Sequence, residues 1–272
     1  MCSTSDIEIW TWSELRAESS RRSIERLVAA GGLERLRRGV YATPTACADA
    51  REAASHGGSL GCESAARHLG LWVLDTGDAH VWMRGHRHHQ GDDASGCHCI
   101  RHWDDGPSAS TFELPSVPRI LLQIYRCRGT EAFFVALESA RRLGLLSTAG
   151  LRWLRGVIDQ AGQDLIDFSR ADADSGLESL VRLRLRPFGW DVRTQCRIVG
   201  TGRVDLLVDG WLIIETDGRD NHDESSFRHR DLTRDANSAS WGHVSLRFDY
   251  ALVLHDWDLA ERAIVATMSL RP

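Results

Sequence analysis

The stretch RVDLLVDGWLIIETDGRDNH, residues 203 to 222, sets Asp205, Glu215 and Asp217 among apolar residues and follows them with His222. Asp209-Gly210 is a two-residue hairpin signal, and a hairpin turning there returns the chain so that Asp205 lies beside residue 214 or 215. Two carboxylates at one end of a sheet repel each other unless a cation lies between them. Oxygen-rich sites of that kind suit Mg²⁺ or Mn²⁺, which bridge to a phosphate and polarise it. Glu215 and Asp217 share side-chain parity along a strand, so Asp217 either joins that face or caps the turn at Gly218. Glu178, upstream, can supply a fourth acidic oxygen ligand.

The elements that must position these groups are legible nearby. SGLESLVRLRLRPFGW reads as a helix with Leu177, Leu180, Val181 and Leu185 on its apolar side, ended by Pro187 and Gly189. DVRTQCRIV, RVDLLV and WLIIETDG read as three strands of a meander, with a turn at Gly200 and Gly202. A helix through SSFRHRDLTRDANSASW, a strand HVSLRF and a closing helix near WDLAERAIVATM complete a compact α/β unit, residues 171–272.

Residues 1–45 carry a different signal. In TWSELRAESSRRSIERLVAAGGLERLRRGVYAT, a helix with Ile24, Leu27 and Val28 at helical spacing is capped by Ser19 or Ser20 and ended by Gly31-Gly32. A short ribbon with Gly39 at its turn follows. Helix, tight turn and basic ribbon is the layout of a winged helix-turn-helix. Arg21, Arg22 and Arg26 on the helix and Arg35, Arg37 and Arg38 on the wing fall where that motif meets duplex DNA, although a solvated basic helix with a hairpin has the same pattern.

Residues 46–165 read as a mixed helix and strand domain concerned with packing and positioning. Helices are expected in ACADAREAAS and CESAARHLGL, a strand in AHVWMR, and a helix pair in VPRILLQIYRCRGTEAFFVALESARRLGLL, turning at Gly129 with Phe133, Phe134, Leu137 and Ala140 inward. STAGLRWLRGVI adds one more helix. His86, His88, His89, Cys97 and Cys99 form a His-rich stretch between elements. C-x-C is poor geometry for zinc, so an exposed loop is the preferred reading and a zinc site the other. The tryptophans Trp72, Trp82, Trp153 and Trp211 sit in apolar runs and are expected in the core.

Composition narrows the class. The chain has 272 residues, a net charge of -5 and 33 basic residues, every one of them arginine. That charge argues against an all-over cationic DNA coat but not against local basic faces. Any step that would ordinarily use lysine must be done otherwise. The seven cysteines have no paired framework, so reduced thiols are expected. Without an apolar run of membrane length or a signal-peptide layout, the expectation is a soluble, cytoplasmic, nucleoid-associated protein with no membrane partner.

GLESLVRLRL…QCRIVGTGRVDLLVDGWLIIETDGRDNH…FRHRDLTRDANSASWGHVSLRF resembles the DUF559 family, the Vsr-like branch of the PD-(D/E)XK endonuclease superfamily. RRSIERLVAAGGLERLRRGVYATP and LPSVPRILLQIYRC…ALESARRLGLLS are similar to the AbiEi-type antitoxin region. These resemblances imply an α/β restriction-endonuclease-like C-terminal domain behind a winged helix-turn-helix and a middle domain. They imply that Asp205, Glu215 and Glu178 hold Mg²⁺ or Mn²⁺. The superfamily's motif lysine falls at Asp217, a departure shared with the branch, which leaves His222 as the proton acceptor; a plain loop histidine is its other reading. Arg230 and Arg234 on the next helix would then hold phosphate. The function expected is metal-dependent endonucleolytic cleavage of duplex DNA at a mismatch, lesion or specific site, in repair or defence. The alternative is a DNA-binding repressor or antitoxin of AbiEi type with an inactive nuclease fold, and RNA as substrate stays open.

Overall fold

In the computed structural model, the described residues are 7–74, 77–85, 98–107, 111–217 and 225–271, without the side chains of 225–231. They form a mixed α/β protein with three small sheets. The chain divides into two compact units, one of Met1–Ala136 with Leu145–Asp164 and one of Leu137–Gly144 with Leu165–Pro272.

The first unit begins with strand β1 (Ile9–Thr11) and helix α1 (Trp12–Glu18). A capping box joins them: the Glu14 N–H donates to the Thr11 hydroxyl at 3.2 Å and the Thr11 N–H to the Glu14 carboxylate at 2.6 Å. Helix α2 (Arg21–Ala29) is capped by Ser20, whose hydroxyl accepts the Ser23 N–H at 3.2 Å. Strands β2 (Glu34–Arg37) and β3 (Val40–Ala42) follow, and the sheet runs β1-β3-β2, antiparallel throughout. Gly39, at φ 78°, supplies the left-handed turn of the wing. Of the apolar trio expected inside α2, only Ile24 is buried, at 1% exposure; Leu27 and Val28 are 47% and 36% exposed. The helix thus presents its first turns to the sheet through Ile24, and its last turn, with Leu27 and Val28, is open to solvent.

Further along this unit come α3 (Ala48–Ser55), β4 (Ser59–Leu60), α4 (Cys62–His68), β5 (His80–Met83) and β6 (Ile100–Trp103). Strand β5 lies between β4, antiparallel, and β6, parallel. Helix α5 (Val117–Arg142) is interrupted at Gly129 (φ 80°, ψ -167°), the expected turn, and Phe133, Phe134, Leu137 and Ala140 are fully buried. Helices α6 (Thr148–Val157) and α7 (Gln160–Phe168) complete the segment. Trp82 is buried and its indole N–H donates to Asp104 at 2.8 Å. Trp153 corrects the expectation for its kind: it is 36% exposed, with Arg119 over its ring, because a guanidinium covers an indole face as well as apolar side chains do. Cys62, Cys99, Cys127 and Cys196 are reduced thiols, whereas Cys47 is disulfide-bonded, contrary to expectation.

The second unit contains α8 (Gly176–Leu185), a 3₁₀ turn at Arg186–Phe188, β7 (Val192–Ile198), β8 (Gly202–Val208), β9 (Leu212–Asp217), α9 (Ser225–Ser240), β10 (Val244–Asp249), α10 (Tyr250–Leu254) and α11 (Trp257–Met268). The sheet order is β10-β9-β8-β7. The first three strands form the expected antiparallel meander, and β10 joins β9 in parallel after the α9 crossover. Asp209 (φ 48°) and Gly210 (φ 68°) both take the left-handed conformation that a tight primed hairpin turn requires. Val204, Leu206, Val208, Leu212 and Ile214 fill the centre of the sheet, against which α8 packs Leu177, Leu180, Val181 and Leu185. The same unit buries a charge pair, Glu138 with Arg182, each side chain 1% exposed. Arg182 also lies 4.2 Å over the Phe168 ring.

Candidate functional site

Two surfaces carry the chemistry anticipated from the sequence, one in each unit. In the first, Ser20 starts α2 so that Arg21, Arg22 and Arg26 project from it, all exposed; Arg35, Arg37 and Arg38 are exposed on β2 and the turn after it. Arg21 is partly neutralised by Glu25, four residues on, at 2.8 Å. Arg35 donates to the Arg37 carbonyl at 3.3 Å, and Arg51 pairs with Glu34 to tie β2 to α3. The exposed Leu27 and Val28 lie on the same helix as the arginines, so α2 offers both guanidinium and apolar groups. Residues 3–44 match a family model described as transcriptional regulator, AbiEi antitoxin. No curated protein matches the chain. The matched segment holds the capping box, α2 and the whole three-stranded sheet.

The second surface lies at one end of the β8–β9 hairpin. The register Leu206↔Ile214 sets Asp205 opposite Glu215 at the next position, as the hairpin arithmetic required. Asp205 is held by the Thr216 backbone N–H, which donates to its carboxylate at 2.9 Å. Glu178 enters from the first turn of α8, because Ser175 caps that helix through the Glu178 N–H at 3.2 Å. Its carboxylate is 2% exposed and accepts from the Asp174 N–H at 3.0 Å and the Gln195 amide at 2.5 Å.

These acids act on one another through Asp205. Burial, then the Asp205 charge, pushes the Glu178 carboxyl up to about 7, against the pull of the Gln195 and Ser175 hydrogen bonds. Glu215 is likewise pushed up to about 7 by burial and Asp205, with Arg234 and Arg247 pulling it down. The cation found here is an arginine: Arg234, on α9, donates to Glu215 at 2.6 Å and also reaches the Arg203 carbonyl. The charge in the hairpin is therefore accommodated by a guanidinium, a backbone N–H and two carboxyls that hold protons near neutral pH.

Asp217 ends β9, two residues beyond Glu215, with Asp249 of β10 beside it in the register. Arg234 is engaged by Glu215 and so does not project as an open phosphate clamp; the neighbouring Asp235 holds Arg247 at 2.9 Å. His222 and the side chain of Arg230 lie outside the described residues. So do His86, His88, His89 and Cys97 of the His-rich stretch; Cys99 is a half-buried thiol.

Gln195 and Arg247 belong to the acidic site without having been anticipated. Gln195 takes φ 52° within β7, a conformation that costs about 1 kcal/mol or more for a residue with a Cβ, and its amide reaches Glu178 while its carbonyl accepts from Arg203. No spacing signal in TQCRIV announces that left-handed residue, and the register on either side of it runs on unbroken. Arg247 was legible only as part of a strand, yet its register partner is Glu215.

Proposed function

We propose that the protein is a DNA-binding transcriptional regulator of the AbiEi antitoxin kind, docking duplex DNA on the winged helix of its first 45 residues. The observation that carries this is the set of six exposed arginines, three on α2 and three along the wing, inside the segment that matches the regulator model. A capped helix with arginines at its start suits the major groove, where guanidinium groups contact phosphates and guanine edges. The exposed Leu27 and Val28 give the same helix apolar contact for thymine methyl groups. A mobility-shift titration of labelled duplex DNA in EDTA tests the reading. A retarded complex supports it, and an unshifted duplex at every protein concentration contradicts it.

A second reading, cleavage of the bound duplex by phosphodiester hydrolysis at a mismatch, lesion or specific site, is favoured by the acidic site. Three acids on α8, β8 and β9 gather at one end of a helix–meander–helix–strand unit, the arrangement that the resemblance to the Vsr-like nucleases implies. The donor set is all oxygen, the class that suits Mg²⁺ or Mn²⁺, although with Arg234 on Glu215 the three carboxylates do not close on one another as tightly as the Cys and His group of the first unit. Glu178, Asp205 and Glu215 would hold the ion once Arg234 releases Glu215. When bound it would supply Lewis-acid polarisation of a phosphate and a more acidic water. Asp217 and Gln195 flank that position, and His222 remains the candidate proton acceptor on sequence alone. Supercoiled plasmid and mismatch-containing duplex, incubated with Mg²⁺, with Mn²⁺ and with EDTA, decide between the readings. Metal-dependent nicking that Asp205→Ala abolishes supports hydrolysis; binding with intact DNA throughout leaves the regulator reading alone.

A further inference from the structure

Beyond the DNA surfaces, the first unit brings together four side chains that the sequence scatters. Cys62 opens α4, His80 opens β5, His102 lies on β6 and Cys127 on α5; their donor atoms all lie within 4.8 Å of one another. Among the described residues this is the Cys, His and acid group that closes so tightly. Nδ1 of His80 and Nε2 of His102 are 2.9 Å apart, their rings stacked at 5.2 Å. Two sulfurs and two imidazole nitrogens converging on one point are the ligand set of a closed tetrahedral zinc site.

We infer that Cys62, His80, His102 and Cys127 bind one structural Zn²⁺ that ties α4, β5, β6 and α5 together.

Two independent features support this. The first is backbone preparation. Cys62 has φ 45°, and its N–H donates at 2.8 Å to the Gln123 side chain, one helical turn before Cys127 on α5. One face of α5 thus fixes the backbone of one cysteine and presents the other. The second is outer support. His80 directs Nδ1 into the cluster and Nε2 toward the Glu63 carboxylate at 3.6 Å, and Glu63 is itself held by Arg128 at 2.8 Å. A carboxylate behind a histidine fixes its tautomer and strengthens it as a ligand. All four coordination positions are taken by protein, so the site would stabilise and not catalyse.

The test uses the full chain. Purified protein passed over a chelating resin is assayed for zinc by mass spectrometry, and apo protein is titrated with Co²⁺. The expected results are one zinc per chain, thiolate-to-cobalt charge-transfer absorption, and loss of both in Cys127→Ser and in His102→Ala. Glu63→Gln should weaken zinc about 10- to 100-fold without removing a ligand. Asp205→Asn should retain the zinc, which separates this site from the acidic one. If the ligand variants fail to fold, the cobalt spectrum of the wild-type chain decides. Zinc-free protein without charge-transfer absorption overturns the inference, as does an intact Cys62–Cys127 disulfide in freshly purified chain.

Discussion

The Arg234 guanidinium lies 2.6 Å from the Glu215 carboxylate, at the end of the hairpin where Asp205 and Glu178 also converge. A cation on α9 thus occupies the acid that a divalent metal would need. Competition follows: Arg234→Ala should strengthen Mn²⁺ binding, read by calorimetry or by paramagnetic broadening, several-fold relative to the native chain. Unchanged or weaker Mn²⁺ binding would show that Arg234 does not compete for the site.

The raised carboxyls make stability depend on pH in an unusual direction. Glu178 and Glu215 titrate near 4.5 when unfolded and near 7 when folded, so across that window the native state holds more protons than the unfolded one. Stability therefore falls as pH rises from about 4.5 to about 7, by up to about 3 kcal/mol for each group taken alone, since one pH unit is worth about 1.4 kcal/mol, and by less than twice that for the two together, because each shift comes from burial and then from the same Asp205 charge. Denaturant melts at about pH 5 and about pH 8 should show the fall, and Glu178→Gln should be stabilising at the higher pH only. A melt midpoint that is flat across the window would contradict these assignments.

Glu138 and Arg182 form a buried pair, with Glu138 also accepting the Arg170 N–H at 2.5 Å. Removing one partner leaves the other charge buried. Glu138→Ala should cost about 3–5 kcal/mol in chemical denaturation, while a double Glu138→Leu, Arg182→Met variant should recover most of it. If the double variant is no more stable than the single, the loss comes from packing and not from the stranded charge.

Gly58 lies close against β5: a Cβ there would stand 2.5 Å from the Trp82 carbonyl oxygen and 2.6 Å from the Val81 side chain. Gly58→Ala should destabilise the unit by about 1–3 kcal/mol in thermal unfolding, because backbone must move to admit it. A neutral effect would mean that β4 shifts freely.

Local signals were legible and remote juxtapositions were not. Ser20 as a cap, Gly129 as a turn and Asp209-Gly210 as a hairpin depend on neighbours within a few residues, and each is found in that role. The pairing of Asp205 with Glu215 followed from that hairpin. Leu27 and Val28 obeyed helical spacing, but which side of a short helix is covered is set by the sheet beneath it. Strand β6 has no clear signal because IRHW carries two polar residues in four; α7 carries one, since QAGQDLIDF sets Leu165, Ile166 and Phe168 on one apolar side, the first two of them buried. Glu138 with Arg182, Gln195 with Glu178, and Cys62 with His80, His102 and Cys127 are brought together only by tertiary structure. The His-rich stretch is conspicuous because its residues are close in sequence, whereas His80 and His102 stand one on each of two strands.

The most direct test of DNA docking on the winged helix is the salt dependence of duplex binding, measured by fluorescence anisotropy in EDTA for the native chain and for Arg22→Ala with Arg37→Ala. Removing one arginine–phosphate interaction should lower the slope of log K against log salt by about 0.9, so the double variant should bind more weakly with a slope shallower by about 2. An unchanged slope and affinity would place the DNA elsewhere on the protein and contradict the account.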